Sequence, residues 1–219
     1  IGNTNTASVT GTITDCVGGI VTNGYVLMER GTAYYRYPVN SSGVYNFTTA
    51  LCGNNVATFI GVDAATQQQS AGTSFTLTSG PNTISNLIAC GISTQQFLNY
   101  NINGTNYSFI NPPDSLYHYI NYNYPNGANE VIGYSGQGIY RNTSVTFNST
   151  NLAQGSTQTL LNFSTREIVD SFPNWPLINV NITEYGIVGQ FIAGNFTGTL
   201  VGAPPANNTY AITCNFRFR

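Results

Sequence analysis

The sequence has very little charge. Its 219 residues include eight acidic and six basic side chains, so charged residues make up 6% of the chain, against roughly 25% in an ordinary soluble domain. All six basic residues are arginines, and lysine is absent. A phosphate-binding face needs clustered Lys and Arg, so we expect no nucleic-acid partner. The absence of lysine also excludes Lys–Asn isopeptide crosslinks.

Long apolar runs and helical periodicity are also missing. No apolar run approaches the roughly 20 residues that a helix needs to cross a bilayer, so we expect no transmembrane segment. The chain begins at Ile1 and shows no signal peptide, which favours a mature, processed product. Helical turns are expected only at residues 94–99 and 165–172.

The titratable groups are too few and too scattered for the common kinds of active site. His118 is the single histidine, and Asp114 and Ser115 are too close to it in sequence to complete a triad. Glu167 and Asp170 are the only neighbouring carboxylates, and no calcium-loop pattern occurs. We therefore expect no catalytic residue, no metal site and no cofactor. A hydrolase would need two carboxylates from distant strands to converge in a cleft.

The four cysteines match no zinc or iron–sulfur spacing. They favour two disulfides formed in an oxidising compartment, and hence an extracellular or cell-surface protein. Three pairings are possible. If the first domain is an up-and-down sandwich, Cys16 and Cys90 end strands that run the same way and are expected to pair, which leaves Cys52 with Cys214. The alternative is a set of buried free thiols.

Uncharged groups supply the polarity instead, through 29 Asn, 28 Thr and 16 Ser. Ten asparagines match Asn-x-Ser/Thr, against about six expected by chance for this composition. In a source that N-glycosylates, these are candidate glycosylation sites: Asn40, Asn46, Asn103, Asn106, Asn142, Asn148, Asn162, Asn181, Asn195 and Asn207. Ser115, within Asp114–Ser115–Leu116, resembles a bacterial O-glycosylation acceptor.

Most of the chain alternates with period two and is rich in Thr, Val, Ile, Tyr and Phe, broken by Gly, Asn and Pro. The pattern predicts seven strands between residues 8 and 89 and nine between 96 and 218. We therefore expect an all-β chain of two consecutive antiparallel β-sandwich domains of Ig-like or transthyretin-like type. The expected domains are 1–92, with an N-terminal arm, and 93–219.

Two segments carry resemblances to known proteins. VTGTITDCVGGIVTNGYVLMER, followed by the hairpin YYRYPVNSSGVYNFTT, resembles the carboxypeptidase regulatory-like sandwich; the matching positions are Gly11, Asp15, Asn40, Gly43, Tyr45 and Phe47. ITEYGIVGQFIAGNFTGTLVG, with the ending NTYAITCNFRFR, is similar to C-terminal β domains of secreted bacterial surface proteins of unassigned function. These resemblances imply structural or adhesive modules.

Aromatic residues concentrate in the second domain. Their exposed members could form a subunit interface or a platform for glycans, because tyrosine rings stack on sugars and pack broadly at low entropic cost. The alternative is that they fill the core. The candidates are Tyr117, Tyr119, Tyr122, Tyr124 and Trp175.

The two chain ends, the polar N-terminal arm of residues 1–8 and the last strand, are candidates for strand exchange. The last strand, from residue 210, alternates cleanly and either completes its own domain or is lent to a neighbour. We expect a non-catalytic structural subunit of an extracellular filament or surface layer, a homopolymer assembled head to tail through β-strand contacts. The alternative is a glycan-binding adhesin, or an accessory module of a secreted surface protein, with surface glycans as partners.

Overall fold

The structure is a computed structural model, which describes residues 5–31, 33–51, 53, 55–124, 127–134, 142–170, 172, 176–186, 191–205 and 207–219. Cys52, Trp175 and the first four residues of the N-terminal arm lie outside this part of the chain. The chain divides into two units, Ile1–Thr94 and Gln95–Arg219. The sequence places the same division between residues 92 and 93.

The described residues form strands and turns, with no helix among them, so the all-β, two-sandwich prediction is confirmed. The predicted helical turns are wrong, because residues 96–99 belong to a strand and 165–167 end a strand in a turn. No described segment forms a helix that could cross a bilayer. The strands are β1 (Thr6–Thr14), β2 (Gly24–Arg30), β3 (Ala33–Pro38), β4 (Val44–Ala50), β5 (Val56–Asp63), β6 (Gln68–Gln69), β7 (Thr73–Thr76), β8 (Gly80–Thr83), β9 (Leu87–Ile88), β10 (Ile92–Ser93), β11 (Gln96–Ile102), β12 (Thr105–Asn111), β13 (Ser115–Asn121), β14 (Ala128–Tyr134), β15 (Asn142–Asn148), β16 (Thr157–Thr165), β17 (Asn179–Tyr185), β18 (Ile192–Val201) and β19 (Thr209–Phe218).

The first unit packs two sheets face to face. One has the order β4-β1-β8, with β9 also on β1, and the other has the order β10-β6-β5-β2-β3, with β7 on β5. Strand β1 alternates strictly, so that Val9 and Ile13 point inward while Ser8 and Thr12 face solvent. The inward residues meet Met28 and other apolar side chains of the opposite sheet in one buried cluster. Most pairings are antiparallel, but β1 runs parallel to β8 and β9.

Two short polar residues shape the turns that the resemblance singles out. The Asp15 carboxylate accepts hydrogen bonds from the backbone N–H groups of Val17 (2.9 Å) and Gly19 (2.7 Å). The Asn40 side chain accepts from residues 42 and 44 in the same way. Gly43 has φ of 71° and leaves no room for a Cβ, which would lie 2.4 Å from Ile20. The residues of the resemblance thus have local structural roles.

The disulfide joins Cys16 to Cys90, the pairing expected from strand direction. The bond lies two residues beyond the parallel pairing of β1 and β9, in which Thr14 lies opposite Ile88. The expected second pairing is wrong, because Cys214 is a free thiol buried in the core of the second unit. Burial raises the pKa of Cys214 well above its ordinary value, so it behaves as a small apolar side chain.

The second unit is one antiparallel sheet of nine strands, ordered β12-β11-β19-β18-β17-β16-β15-β14-β13. From β13 to β19 the chain meanders, and the hairpin β11–β12 adds to the far side of β19. The sheet folds over on itself. The Phe109 ring of β12 packs on Gly133 of β14, and the Phe218 ring of β19 lies 4.6 Å from the His118 ring of β13.

An aromatic core fills the interior of this folded sheet. Phe147 stacks on Phe216 with ring centroids 5.3 Å apart, and Phe163 meets Phe196 edge to face at 5.8 Å. All four rings are almost fully buried. Because strand residues alternate, each aromatic residue that points into this core leaves its neighbours on the outer surface. The polar outer face is therefore a consequence of the core pattern.

Both candidate strand exchanges at the chain ends must be revised. Strand β19 pairs with β11 on one side and β18 on the other, so the C-terminal strand completes its own unit and has no free edge to lend. At the other end, residues 6–8 of the expected arm already belong to β1, where Thr6 lies opposite Ala50.

The disulfide is expected to be a main source of stability for the first unit. The double variant Cys16→Ala/Cys90→Ala should lower the free energy of unfolding by about 2–5 kcal/mol, because the crosslink bridges a separation of 74 residues. Urea unfolding followed by circular dichroism measures this. Reductant should destabilise the wild type and leave the double variant unchanged; equal stability of both proteins without reductant would contradict the prediction.

Candidate functional site

The most distinctive surface feature is an open groove on the outer face of β13 and β14. Its volume is about 520 Å³, and the described residues that line it are Ser115, Tyr117, Tyr119, Ile132 and Tyr134. Strand register explains this grouping: Tyr117 lies opposite Ile132, and Ser115 lies opposite Tyr134. Cross-strand partners share a face of the sheet, so these side chains collect on one side.

The two groove tyrosines of β13 are exposed. Tyr117 is 56% exposed and Tyr119 is 44% exposed, so the alternative that they fill the core is wrong. The inward positions of β13 belong to Leu116 and His118, as period two requires. Exposed apolar patches rimmed by polar residues mark interaction sites, so this groove is the candidate site.

Neighbouring groups hold the groove rings in place. Tyr117 and Tyr134 meet edge to face, with centroids 5.6 Å apart and planes at 77°. Tyr119 lies opposite Glu130, whose carboxylate accepts a hydrogen bond of 2.6 Å from Asn121. The pKa of Tyr119 is raised, first by desolvation and then by its hydrogen bond to Glu130. The groove is therefore a pre-formed surface of phenol rings.

The other aromatic candidates do not join this group. Tyr122 is 84% exposed in the turn after β13. Tyr124 is half-buried in the same turn, where its carbonyl accepts a hydrogen bond from the Gly127 N–H. Neither is among the described residues that line the groove. Trp175 lies outside the described residues.

The candidate N-glycosylation residues owe much of their number to strand geometry. Asn-x-Ser/Thr places an amide and a hydroxyl two residues apart, and hence on the same face of a strand. Asn106 and Ser108 of β12, for example, are both exposed. The sequence pattern thus arises wherever a strand has an uncharged polar outer face. Glycosylation stays a prediction. Strand positions are Asn46, Asn106, Asn142, Asn148, Asn162, Asn181 and Asn195; turn or loop positions are Asn40, Asn103 and Asn207.

Most carboxylates are engaged in structural contacts. Glu184 pairs with Arg217 at 2.7 Å. Asp170 accepts hydrogen bonds from Asn208 (2.9 Å) and Tyr210 (2.8 Å). Five further carboxylates accept hydrogen bonds from turn or strand residues: Asp15, Asp63, Asp114, Glu130 and Glu167. Among the described residues, no three His, Cys, Asp or Glu side chains are grouped as metal ligands.

A polar cluster is buried inside the folded sheet, apart from the groove. The Tyr100 hydroxyl lies 2.9 Å from the Thr143 hydroxyl, 3.0 Å from the Thr165 hydroxyl and 3.0 Å from a Glu167 oxygen. Thr165 also donates to Glu167. Burial is the main reason that the pKa of Tyr100 rises to about 12. The cluster satisfies its own polar groups and stabilises the junction of β11, β15 and β16.

His118 lies on the inner side of β13, where burial favours the neutral form of its ring and lowers its pKa. Its Nε2 lies 2.9 Å from Oδ1 of Asn129, which can only accept, so Nε2 carries the proton. Asn129 in turn donates to Ser149 at 2.8 Å. Burial lowers the pKa of His118, and the Asn129 bond partly opposes that shift. These contacts describe a structural histidine.

Sequence reasoning missed two of the five described groove residues. Ile132 and Tyr134 belong to it because of the β13–β14 register. The alternation of residues 130–134 indicates one outward face for Glu130, Ile132 and Tyr134. Nothing in the sequence tells which neighbouring strand that face adjoins.

Comparisons with known proteins assign the chain to no family. No protein-family model matches it, and no curated protein matches it. Among solved structures, it is similar to a DUF3823 family protein from Bacteroides ovatus, with 9% identity over 96% of this chain and 97% of that one and a TM-score of 0.29. That score is too low to carry an argument. The carboxypeptidase regulatory-like resemblance is therefore not confirmed, and the all-β fold stands on the structure alone.

The buried state of His118 makes stability depend on pH. Because its folded pKa lies below the unfolded value of about 6.5, folding excludes a proton that the unfolded chain binds. The stabilisation is present above that value and is lost as pH falls through it towards the folded pKa.

We expect the melting temperature to fall between pH 7.5 and pH 5, and to fall less in His118→Gln, which keeps a donor for Asn129 but cannot titrate. Differential scanning fluorimetry across this range measures the difference. Parallel curves for the two proteins would refute the assignment.

Proposed function

We propose that this chain is an extracellular, non-catalytic binding module that holds neutral carbohydrate in the groove of Tyr117, Tyr119 and Tyr134. The observation that carries the proposal is the pair of exposed, positionally held tyrosines on β13, flanked by Ile132. Aromatic faces pack against the apolar faces of sugar rings, while hydroxyl groups at the edges form hydrogen bonds.

The charge distribution favours a neutral ligand. None of the groove-lining residues that the structure describes carries a charge at neutral pH, and Glu130, beside Tyr119, is nearly buried. An anionic glycan would find no arginine among these residues to pair with. Binding by stacking and neutral hydrogen bonds should therefore be almost insensitive to salt.

The disulfide supports the proposed location. Cys16–Cys90 requires an oxidising environment to form and persist. A surface whose polarity comes from amides and hydroxyls also suits long-lived contact with polysaccharide. With most carboxylates engaged in structural contacts, a binding role without catalysis is the simplest use of this surface.

Tyrosine truncation tests the binding proposal. Tyr117→Ala/Tyr119→Ala should lower affinity for neutral glycans by at least about tenfold, because it removes the stacking surface. Binding to an array of neutral and anionic glycans, repeated at high salt, measures this. Tyr122→Ala is the matched control, since it removes an exposed tyrosine outside the groove. Absence of glycan binding, or equal losses in variant and control, would reject the proposal.

A structural subunit of an extracellular filament or surface layer is the second candidate. The observation in its favour is an apolar patch at one end of the first unit, where Val17 is 90% exposed and Ile20 and Ile88 are more than half exposed. Ile20 and Ile88 flank Thr14 on neighbouring strand positions, and Cys16–Cys90 fixes the segment. Burying this patch against another copy would favour a homopolymer.

Electron microscopy distinguishes the two candidates. A filament subunit should form ordered polymers on concentration without added sugar, and Ile20→Ser/Ile88→Ser should disperse them because it removes the apolar contact. Reductant should shorten the polymers if the Cys16–Cys90 loop supports that contact. Uniform single particles from the wild type at high concentration would count against the filament and leave the glycan module.

A further inference from the structure

We infer that the open edge of β13 pairs with β13 of a second copy of this chain, forming a two-fold dimer in which the two tyrosine grooves join. The pairing does not depend on the proposed function, whereas a role of the joined grooves in carbohydrate binding rests on it. Strand β13 forms one end of the nine-stranded sheet, and among the described strands only β14 pairs with it. An edge strand presents a row of backbone N–H and C=O groups to which another strand can add.

The sequence of β13 is self-complementary about His118. The strand reads Ser-Leu-Tyr-His-Tyr-Ile-Asn over residues 115–121. In antiparallel pairing centred on His118, each side chain meets one of its own chemical kind from the second copy. The opposed pairs are Tyr117 with Tyr119, Leu116 with Ile120, and Ser115 with Asn121. A two-fold interface requires this property, because the same strand supplies both of its sides.

Both faces of the pairing gain contacts. On the outer face, Tyr117 of one copy and Tyr119 of the other have Cβ atoms about 5 Å apart, a spacing at which aromatic cross-strand pairs stabilise a sheet. On the inner face, Ile120 is 37% exposed in the single chain. Leu116 of the second copy lies opposite it, and Leu116 already packs against the core of its own unit. The pairing therefore covers apolar surface that a single chain leaves in water.

Strand β13 lacks the features that protect sheet edges from pairing. Natural edge strands carry charged side chains, prolines or bulges. Residues 115–121 include no Lys, Arg, Asp, Glu or Pro, and their register with β14 runs through all seven positions without a shift. Burial lowers the pKa of His118, so the two copies of this side chain at the axis are neutral at neutral pH. Nothing in the strand repels a second copy.

Other edge strands of the described sheets are less suited to self-pairing. Strand β3 carries Arg36 and ends at Pro38, and β8 has four residues that include Pro81. Strand β12, the other end of the nine-stranded sheet, is uncharged. Antiparallel pairing of β12 about its own centre would set Asn106 against Ile110, an amide against an apolar side chain. The observations therefore single out β13.

The pairing brings residues of the second copy to the candidate site. Tyr117 and Tyr119 lie on the edge strand, and Ile132 and Tyr134 lie behind them on β14. Because directly opposed residues share a face of a sheet, the second copy adds its own Tyr117 and Tyr119 to the same outer surface. The four rings form two adjacent rows about 4.8 Å apart. In the proposed carbohydrate module, one ligand could then stack on tyrosines of both copies.

Sedimentation equilibrium of the full chain without sugar tests the pairing. The apparent mass should rise with concentration from 23.5 kDa to twice that value and no further, since a two-fold pairing is closed. Ile120→Lys should weaken association at least about tenfold, because it sets a charge on the edge opposite Leu116 of the second copy. Ile110→Lys on β12 is the matched control, since Ile110 is 36% exposed on the other edge strand, and it should leave association unchanged.

Crosslinking tests the register, and decides the matter if Ile120→Lys folds poorly. On a Cys52→Ser background, Ser115→Cys/Asn121→Cys introduces thiols that oppose each other only across the axis. Within one chain these positions are about 20 Å apart, at about 3.3 Å per residue, and in the dimer so are the two copies of either position. A short bifunctional maleimide should therefore crosslink the double variant into dimers and leave both single variants monomeric on denaturing gels.

Three results would overturn the pairing: a wild type that stays monomeric at millimolar concentration, association that Ile120→Lys leaves unchanged, or single variants that crosslink as efficiently as the double variant. The proposed function is tested separately, by glycan binding. A monomeric chain that still binds neutral glycans through Tyr117 and Tyr119 would overturn the pairing alone, whereas a dimer that binds no glycan would overturn the carbohydrate proposal and leave the pairing in place.

Discussion

Folding of the nine-stranded sheet around its aromatic core decides where the other side chains of the second unit point. Phe147 stacks on Phe216, Phe163 meets Phe196 edge to face, and all four belong to one buried cluster. Period two then sends the residues between them outward. Tyr117 and Tyr119 are exposed because Leu116 and His118 point inward, and Asn195 and Asn215 line the surface because Phe196 and Phe216 fill the core. The candidate site therefore lies on the outer side of strands whose inward side chains form the core.

The scarcity of charge determines which chemical groups make this outer face polar. With charged residues at 6% of the chain, polarity must come from amides and hydroxyls, which cost little to dehydrate when they exchange one neutral hydrogen bond for another. Such a surface can adhere to a neutral, hydroxyl-rich partner without the salt dependence of a charged interface. The few charged groups stabilise turns and strand ends, as Asp15 and the Arg217–Glu184 pair do.

Local pattern predicted the strands of the second unit and one disulfide, whereas the first unit has ten strands, β1–β10, where seven were expected. All nine expected strands of the second unit correspond to β11–β19, because alternation and turn residues are local signals. The Cys16–Cys90 pairing followed from strand direction. What failed depends on distant neighbours: Cys214 is buried by β11 and β18, and the last strand is closed on both edges by the same two strands. Likewise, Tyr117 and Tyr119 were identifiable from sequence, whereas Ile132 and Tyr134 required the register.

The central claim is that the groove of Tyr117, Tyr119 and Tyr134 in the second unit binds neutral carbohydrate by stacking on phenol rings. The most direct measurement is a ¹H–¹⁵N NMR titration of the folded chain with neutral β-1,4-linked hexasaccharides of glucose, mannose and N-acetylglucosamine. The account predicts shifts of the backbone signals of Tyr117, Tyr119 and Ile132. Shifts confined to the first unit, or no shifts at millimolar sugar, would contradict it.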